Sequence, residues 1–260
     1  MINKIISKIH FLLRILFSKN YFYGYARSQN NNEENKFLKK ISKNITYKNF
    51  IEIGFHNTEF NCIGLIENNF TGLLIDSGRF INLQIMRLIL VLIGKNKKIK
   101  VKNLHVEKKN VRRIFKNQQR VGLISIDIDG NDFWIIKKIL EIGVRPNIFI
   151  VEYNPSFLKY SISVPYSKNF NRFERHPSGL YHGASLKAFE KLFKKYDYNL
   201  IKVIGGINAV FSSKKIINQN NFKILNANFD YQEGVIRNKI YKKNAKKQYQ
   251  AIKHLKLIRI

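Results

Sequence analysis

Asn49-Phe50-Ile51-Glu52-Ile53-Gly54 reads as a short apolar strand ending on glycine, and the organised part of the chain begins there. Residues 57 to 69 carry a helical pattern. Gly72-Leu73-Leu74-Ile75-Asp76 then repeats the strand, ending this time on a carboxylate. Residues 79 to 93 form a long apolar helix around Met86, and residues 98 to 106 alternate as a third strand. Val121-Gly122-Leu123-Ile124-Ser125-Ile126-Asp127 is a fourth strand, followed by a helix from Asp132 to Leu140 that stops near Gly143. Asn147-Ile148-Phe149-Ile150-Val151-Glu152 is a fifth. Short, continuously apolar strands separated by helices suit a largely parallel sheet covered on both faces, because such strands have no polar side to present. A helix from Ser185 to Tyr196 precedes two final strands, 199 to 204 and 207 to 212, joined at Gly205-Gly206. That turn is too short for a crossover helix, so the last two strands are expected to be antiparallel. The fold class is α/β, with helices on both faces of a sheet of about seven strands.

Three stretches follow from this. Residues 48 to 212 hold the α/β domain, with a long polar excursion at 153 to 182. Residues 1 to 47 precede it. Their start, Met1 to Phe17, places apolar residues at helical spacing, and 28 to 48 is a polar linker, loop or solvated helix. Lys4, Lys8 and His10 interrupt the apolar run, so the start does not read as a spanning helix, and no small-residue cleavage signature follows it. It is expected to be an amphipathic helix packed on the domain; the alternative is a helix lying on an anionic membrane surface. Residues 213 to 260 are lysine-rich and weakly patterned, and read as a basic peripheral extension.

With 260 residues and 45% hydrophobic content, the chain can bury one sizeable core. The single cysteine, Cys62, excludes a disulfide framework and suits a reducing, cytoplasmic setting, with a peripheral place at the inner face of a membrane as the alternative. It lies among apolar neighbours and reads as a buried thiol. A net charge of +30 draws anions generally. The charges are mainly lysine spread along the chain, and neither zinc-finger spacing nor an RNA-binding aromatic signature is present, so specific nucleic-acid recognition is not expected. Oligomeric state is left open.

The candidate chemistry sits at strand ends. A strand ending in Gly54 and feeding a helix lets a ligand approach the backbone. Asp76, ending the next strand, can accept hydrogen bonds from both ribose hydroxyls of a nucleoside-containing cofactor; a helix cap is the structural alternative. The densest cluster is Ser125-Ile126-Asp127-Ile128-Asp129-Gly130-Asn131-Asp132. Its acids repel one another unless hydrogen bonds, a cation or a basic substrate relieve them. Lys138 stands where a calcium loop needs glutamate, which rejects an EF-hand. Asp127 and Asp129 remain candidate magnesium ligands, with helix capping as the alternative. Glu152 ends the strand beside Asp127 and can orient a hydroxyl or take its proton. The excursion carries Arg172, Arg175, His176 and His182, a set suited to anion binding and proton transfer, and is expected to fold back as a lid.

The run Ser125 to Trp134, with Glu152-Tyr153-Asn154, Pro165-Tyr166, His176-Pro177-Ser178-Gly179-Leu180-Tyr181 and Gly183-Ala184-Ser185-Leu186, resembles a group of bacterial methyltransferase-like proteins. They are related to the FkbM-type S-adenosylmethionine-dependent methyltransferases and are often associated with surface-polysaccharide or secondary-metabolite pathways. The resemblance spans residues 48 to 212. It implies a Rossmann-like class I methyltransferase sheet of seven strands, the last antiparallel, with S-adenosylmethionine as cofactor. It matches Glu52-Ile53-Gly54 to the cofactor loop, Asp76 to the ribose-binding acid and Asp127 to the acid near the methionine end. The segment His105 to Asn110 is the one that usually reaches the adenine, which makes Asn110 a cofactor candidate. Phe55-His56 stands where the general pattern has a second glycine. The implied reaction is O-methylation of a sugar or other small hydroxyl acceptor. His182, Asp127 and Glu152 are the catalytic candidates, with His182 the preferred base. Asp129, Asn154, Tyr166, Arg172, Arg175, His176 and Tyr181 are the expected substrate contacts, for a small-molecule, nucleotide-sugar or glycan acceptor. The competing readings are another nucleotide-sugar or glycan-modifying enzyme, and a non-catalytic membrane-peripheral protein that keeps the fold.

Overall fold

A computed structural model describes residues 2–29, 32–57, 60–78, 80–118 and 120–260. Asn30, Asn31, Thr58, Glu59 and Arg79, which the sequence reading placed in the linker and in two helices, lie outside the described residues. The chain forms two compact units, residues 1–43 with 48–105 and residues 44–47 with 106–260.

The first unit contains α1 (Ile2–Phe17), α2 (Lys19–Gln29), α3 (Asn32–Ser42), β1 (Asn49–Ile53), α4 (Ile63–Glu67), β2 (Thr71–Asp76), α5 (Phe80–Leu92) and β3 (Ile99–Asn103). β2 pairs in parallel with β1 on one side and β3 on the other. In this register Phe50 faces Gly72, and a Cβ at Gly72 would fall 2.3 Å from the Phe50 ring, so the ring fills the space that glycine leaves. The polar stretch before β1 is helical over α3, which buries Leu38 and Ile41 against α4. α1 packs on α2 and α5 and buries Ile15, while Ile9, Leu13, Leu16 and Phe17 stay in solvent. Among the described residues, no helix is long and apolar enough to cross a membrane.

The helix expected over 57 to 69 is reduced to α4. Glu52, on β1, is the reason. It points inward, 1% exposed, and its two carboxylate oxygens accept the amides of Asn61 (2.6 Å) and Cys62 (3.0 Å). A carboxylate at the amino-terminal end of a helix satisfies amides that have no partner within the helix, and so fixes where α4 begins.

The second unit contains α6 (Lys108–Phe115), β4 (Leu123–Ile126), α7 (Asp132–Glu141), β5 (Ile148–Glu152), a 3-10 turn at Pro155–Phe157, β6 (Ile162–Ser163), α8 (Arg172–Arg175), α9 (Leu186–Lys194), β7 (Tyr198–Ile204), β8 (Asn208–Ser213), α10 (Lys214–Asn220), α11 (Val235–Tyr241), α12 (Ala245–Ile252) and β9 (Ile258–Arg259). β4 and β5 are parallel; β8 is antiparallel to β5 and to β7. The seven sheet strands run in the order β3-β2-β1-β4-β5-β8-β7, as expected for a mixed α/β sheet whose last strand is antiparallel.

Residues 213 to 260 are bound into this unit. β9 pairs with β6, and Ile252 joins Phe157, Ile162, Val164, Leu180 and Tyr181 in a small core beneath the 153–182 excursion. The hydroxyl of Tyr153 donates to the Gln232 carbonyl (2.7 Å) and Ser156 to Gln248 (2.7 Å). Trp134 Nε1 donates to the Val164 carbonyl (2.8 Å). The excursion expected as a lid is therefore held from both sides. Residues 153–157 and 179–182 of it are buried, while 165–178 between them are half-buried or exposed.

The β7–β8 turn gives a stability test. Gly206 has φ +67°, and a Cβ there would lie 2.1 Å from the Glu233 carbonyl oxygen. Both the backbone conformation and the contact exclude a side chain. Gly206→Ala is expected to cost about 2–3 kcal/mol in urea unfolding; an unchanged midpoint would contradict this packing.

Candidate active site

In the first unit, the carboxyl ends of β1 and β2 make a small polar corner. Gly54 takes φ +81°, a conformation suited to glycine, and its amide donates to the Ile75 carbonyl (2.8 Å), so the chain turns tightly against β2. The Phe55 amide then faces Asp76 Oδ2 at 3.4 Å, and the Gly78 amide donates to Asp76 Oδ1. Asp76 is half-buried. Each oxygen of an ionised carboxylate has room for about two hydrogen bonds, so Asp76 retains acceptor capacity for a diol. Glu52 is turned the other way. Burial pushes its carboxyl up to about 7 against the pull of the Asn61 and Cys62 amides. Both oxygens of Glu52, the residue expected in the cofactor loop, serve the start of α4.

In the second unit, β4 stops at Ile126 and the chain turns through Asp127, Ile128 and Asp129 into α7. Asp132 shapes that turn. Its oxygens accept the amides of Ile128 and Gly130, each at 2.8 Å, and burial lifts its carboxyl to about 6. Asp129, with φ +55°, is thereby pushed outward, where it pairs with Arg172. Gly130 has the Phe170 ring where a Cβ would stand, 2.2 Å away, and its carbonyl accepts the Gly183 amide (3.1 Å). These contacts bring the end of the excursion to the acidic turn.

Glu152, at the end of β5, meets His182 there, and Arg237 of α11 joins them. Arg237 Nη2 donates to Glu152 Oε1 (2.9 Å), while its Nη1 lies 2.9 Å from His182 Nε2 and 3.2 Å from Asn154 Oδ1. A guanidinium only donates, so His182 Nε2 accepts and the imidazole proton sits on Nδ1. Nδ1 in turn is 3.9 Å from Glu152 Oε2. All four side chains are buried. Burial first, then Arg237 and Arg172, hold His182 well below the usual histidine range, so it is neutral. Burial raises Glu152 to about 7, with Asp129 and Asp132 adding to the rise and Arg237 opposing it. Asn154 supports the group from below, donating to the carbonyls of Leu180 (2.7 Å) and His182 (2.9 Å).

This arrangement bears on which residue could act as the base. The basic lone pair of His182 is occupied by Arg237, and the ring is 1% exposed. Glu152, which keeps one oxygen free of Arg237 and titrates near neutrality, is better suited to take a proton.

Among the described residues, Asp129, Glu152 and His182 gather with one candidate ligand atom from each within 4.8 Å of the others. Arg237 and Arg172 set positive charge directly against this group, which opposes a divalent cation. Asp127 is half-buried just past β4.

Several predicted cofactor and substrate contacts have other engagements. Asn110 Oδ1 accepts the Glu107 amide (3.0 Å) and caps α6. The Tyr166 hydroxyl faces the Lys108 amide at 3.4 Å, and Arg175 reaches Ser167. His176 Nδ1 accepts the Ser178 amide (3.3 Å), and Tyr181 donates to the Lys256 carbonyl from within the small core. Of the predicted set, Asp129, Glu152, Asn154, Arg172 and His182 come together. Arg237 was missed: Val235-Ile236-Arg237-Asn238-Lys239-Ile240-Tyr241 has no motif, and arginine in a basic tail reads as solvated.

No known family's sequence profile matches the chain, and no curated protein matches it. Among solved structures the chain is similar to an O-methyltransferase from Bacillus cereus in complex with SAH (TM-score 0.48, 15% identity, covering 80% of this chain and 91% of that one). It is also similar to a putative O-methyltransferase from Klebsiella pneumoniae (TM-score 0.48, 15% identity, 78% and 89%). A third is a SAM-dependent methyltransferase from Geobacter sulfurreducens in complex with S-adenosyl-L-homocysteine (TM-score 0.41, 12% identity, 70% and 72%). Likenesses at this distance carry no inference about activity, which rests on the residues of this chain.

Proposed function

We propose that this chain is an S-adenosylmethionine-dependent methyltransferase acting on a hydroxyl, with a sugar or other small acceptor of surface-glycan or secondary metabolism as its substrate class and the cytoplasm as its place. The observation that carries the reading is the corner at Gly54 and Asp76. A positive-φ glycine and a carboxylate with spare acceptor capacity end two adjacent parallel strands, which is the donor–acceptor chemistry a ribose needs. Bound S-adenosylmethionine supplies a methyl group made electrophilic by its sulfonium.

What the protein adds is position and a proton acceptor. A sugar hydroxyl is a weak nucleophile, so a base must take its proton as the methyl bond forms. Glu152 serves through Oε2, while Arg237 holds Oε1 and fixes the carboxylate plane. His182 and Asn154 are positioning residues. The first keeps Arg237 in place through Nε2, and the second ties the end of β5 to the returning chain.

Calorimetric titration with S-adenosylmethionine tests the cofactor assignment. Binding is expected in the wild type, and Asp76→Ala should weaken it by about tenfold or more, since charge-assisted hydrogen bonds contribute roughly 1.5–3 kcal/mol each. Absence of binding in the wild type, or equal affinity in the variant, overturns it.

A further inference from the structure

In the first unit, α5 is apolar on nearly every side: Phe80-Ile81-Asn82-Leu83-Gln84-Ile85-Met86-Arg87-Leu88-Ile89-Leu90-Val91-Leu92. A helix of this kind is ordinarily enclosed by the protein. Here one side, with Leu83, Met86, Ile89 and Leu90, is buried. At 3.6 residues per turn, Phe80, Ile81, Leu88 and Val91 share the opposite side, with Gln84 and the exposed Arg87 the polar residues along it. They lie in solvent, Phe80 65% and Val91 55% exposed. The neighbouring α1 does the same. It packs on α5, yet Ile9, Leu13, Leu16 and Phe17 fall on one stripe and face out, Phe17 at 86%.

Positive charge gathers at the end of α5. Gly94 follows the helix, and Lys19 Nζ from α2 lies 3.6 Å from where its Cβ would stand. Lys95 and Lys98 are close enough that Lys98 and Lys19, after burial, lower the Lys95 ammonium. The occupant of this face must accept both apolar side chains and a cationic margin.

We propose that the exposed sides of α1 and α5 form a membrane-binding face that lies on an anionic phospholipid surface, with Lys19, Lys95 and Lys98 at the headgroups. Apolar side chains inserted to the headgroup boundary and lysines against anionic lipid are the two contributions that hold interfacial helices. A second copy of the chain is a poorer match. A two-fold contact through this face would set like-charged margins of two chains, each of net charge +30, against one another. The inference is independent of the methyltransferase reading.

Co-sedimentation of the full chain with vesicles tests it. Binding is expected to vesicles of phosphatidylcholine and phosphatidylglycerol in equal parts, and to be far weaker with phosphatidylcholine alone. Leu88→Gln with Val91→Gln should reduce binding at least about tenfold, and Phe17→Ser should reduce it independently. Lys19→Glu with Lys98→Glu should also reduce it about tenfold or more. These side chains are exposed, so the variants are expected to melt with the wild type. Equal binding to both vesicle types, no binding to either, or unchanged binding in the apolar variants overturns the proposal. So does self-association, in the absence of vesicle binding, that the α5 variant abolishes.

Discussion

Arg237→Met is expected to destabilise the fold by about 3–5 kcal/mol near pH 8, the range for breaking a buried ion pair. The guanidinium serves three buried acceptors at once, on Glu152, His182 and Asn154. Methionine fills much of the volume and donates to none of them. The loss should depend on pH in one direction. Glu152 is raised to about 7, so its contribution is present below the usual carboxylate range and is lost as pH climbs toward 7. Without Arg237 the carboxyl rises further, and the loss continues to higher pH. His182 is depressed, so its contribution is lost as pH falls below the usual histidine range. Without Arg237 that depression weakens, and less is lost in acid. Both effects make the deficit larger at about pH 8 than at about pH 5. Urea unfolding at the two pH values measures it. A deficit below about 1 kcal/mol at the higher pH, or an equal deficit at both, would show that the buried cluster is not held by Arg237.

Glu152→Gln carries the largest expected effect on chemistry. Glutamine keeps the shape, and its carbonyl oxygen still accepts from Arg237, so the fold should persist. What disappears is the proton acceptor, and turnover on a hydroxyl acceptor should fall about 10²–10⁴-fold. Affinity for S-adenosylmethionine should not change, because the Gly54 and Asp76 corner is untouched. His182→Gln should lose less, since the histidine lone pair serves Arg237 and not the substrate. Equal losses in the two variants would return the base to His182; turnover near wild type in Glu152→Gln would remove the carboxylate from the reaction.

The sequence by itself determined the strands, their glycine and acid endings, and the antiparallel pair at the close of the sheet. These are local properties: apolar runs of strand length, a two-glycine turn too short for a crossover, and helices between. The direction of Glu52 was not local. A carboxylate on an apolar strand reads as facing a ligand loop, and only the packed structure shows it capping α4. The character of His182 was likewise undetermined, because its ring lone pair is taken by a residue 55 positions away. Arg237 reaches Glu152 across 85 positions, from a segment whose pattern suggested only a solvated basic tail. The exposed side of α5 was also hidden, since an apolar helix in a sequence says how much it can bury and not which side finds a partner. Local period fixes secondary structure, whereas burial and charge pairing depend on which distant residues arrive. The elements could therefore be read from the chain, while the protonation states and the uncovered face were decided by tertiary packing.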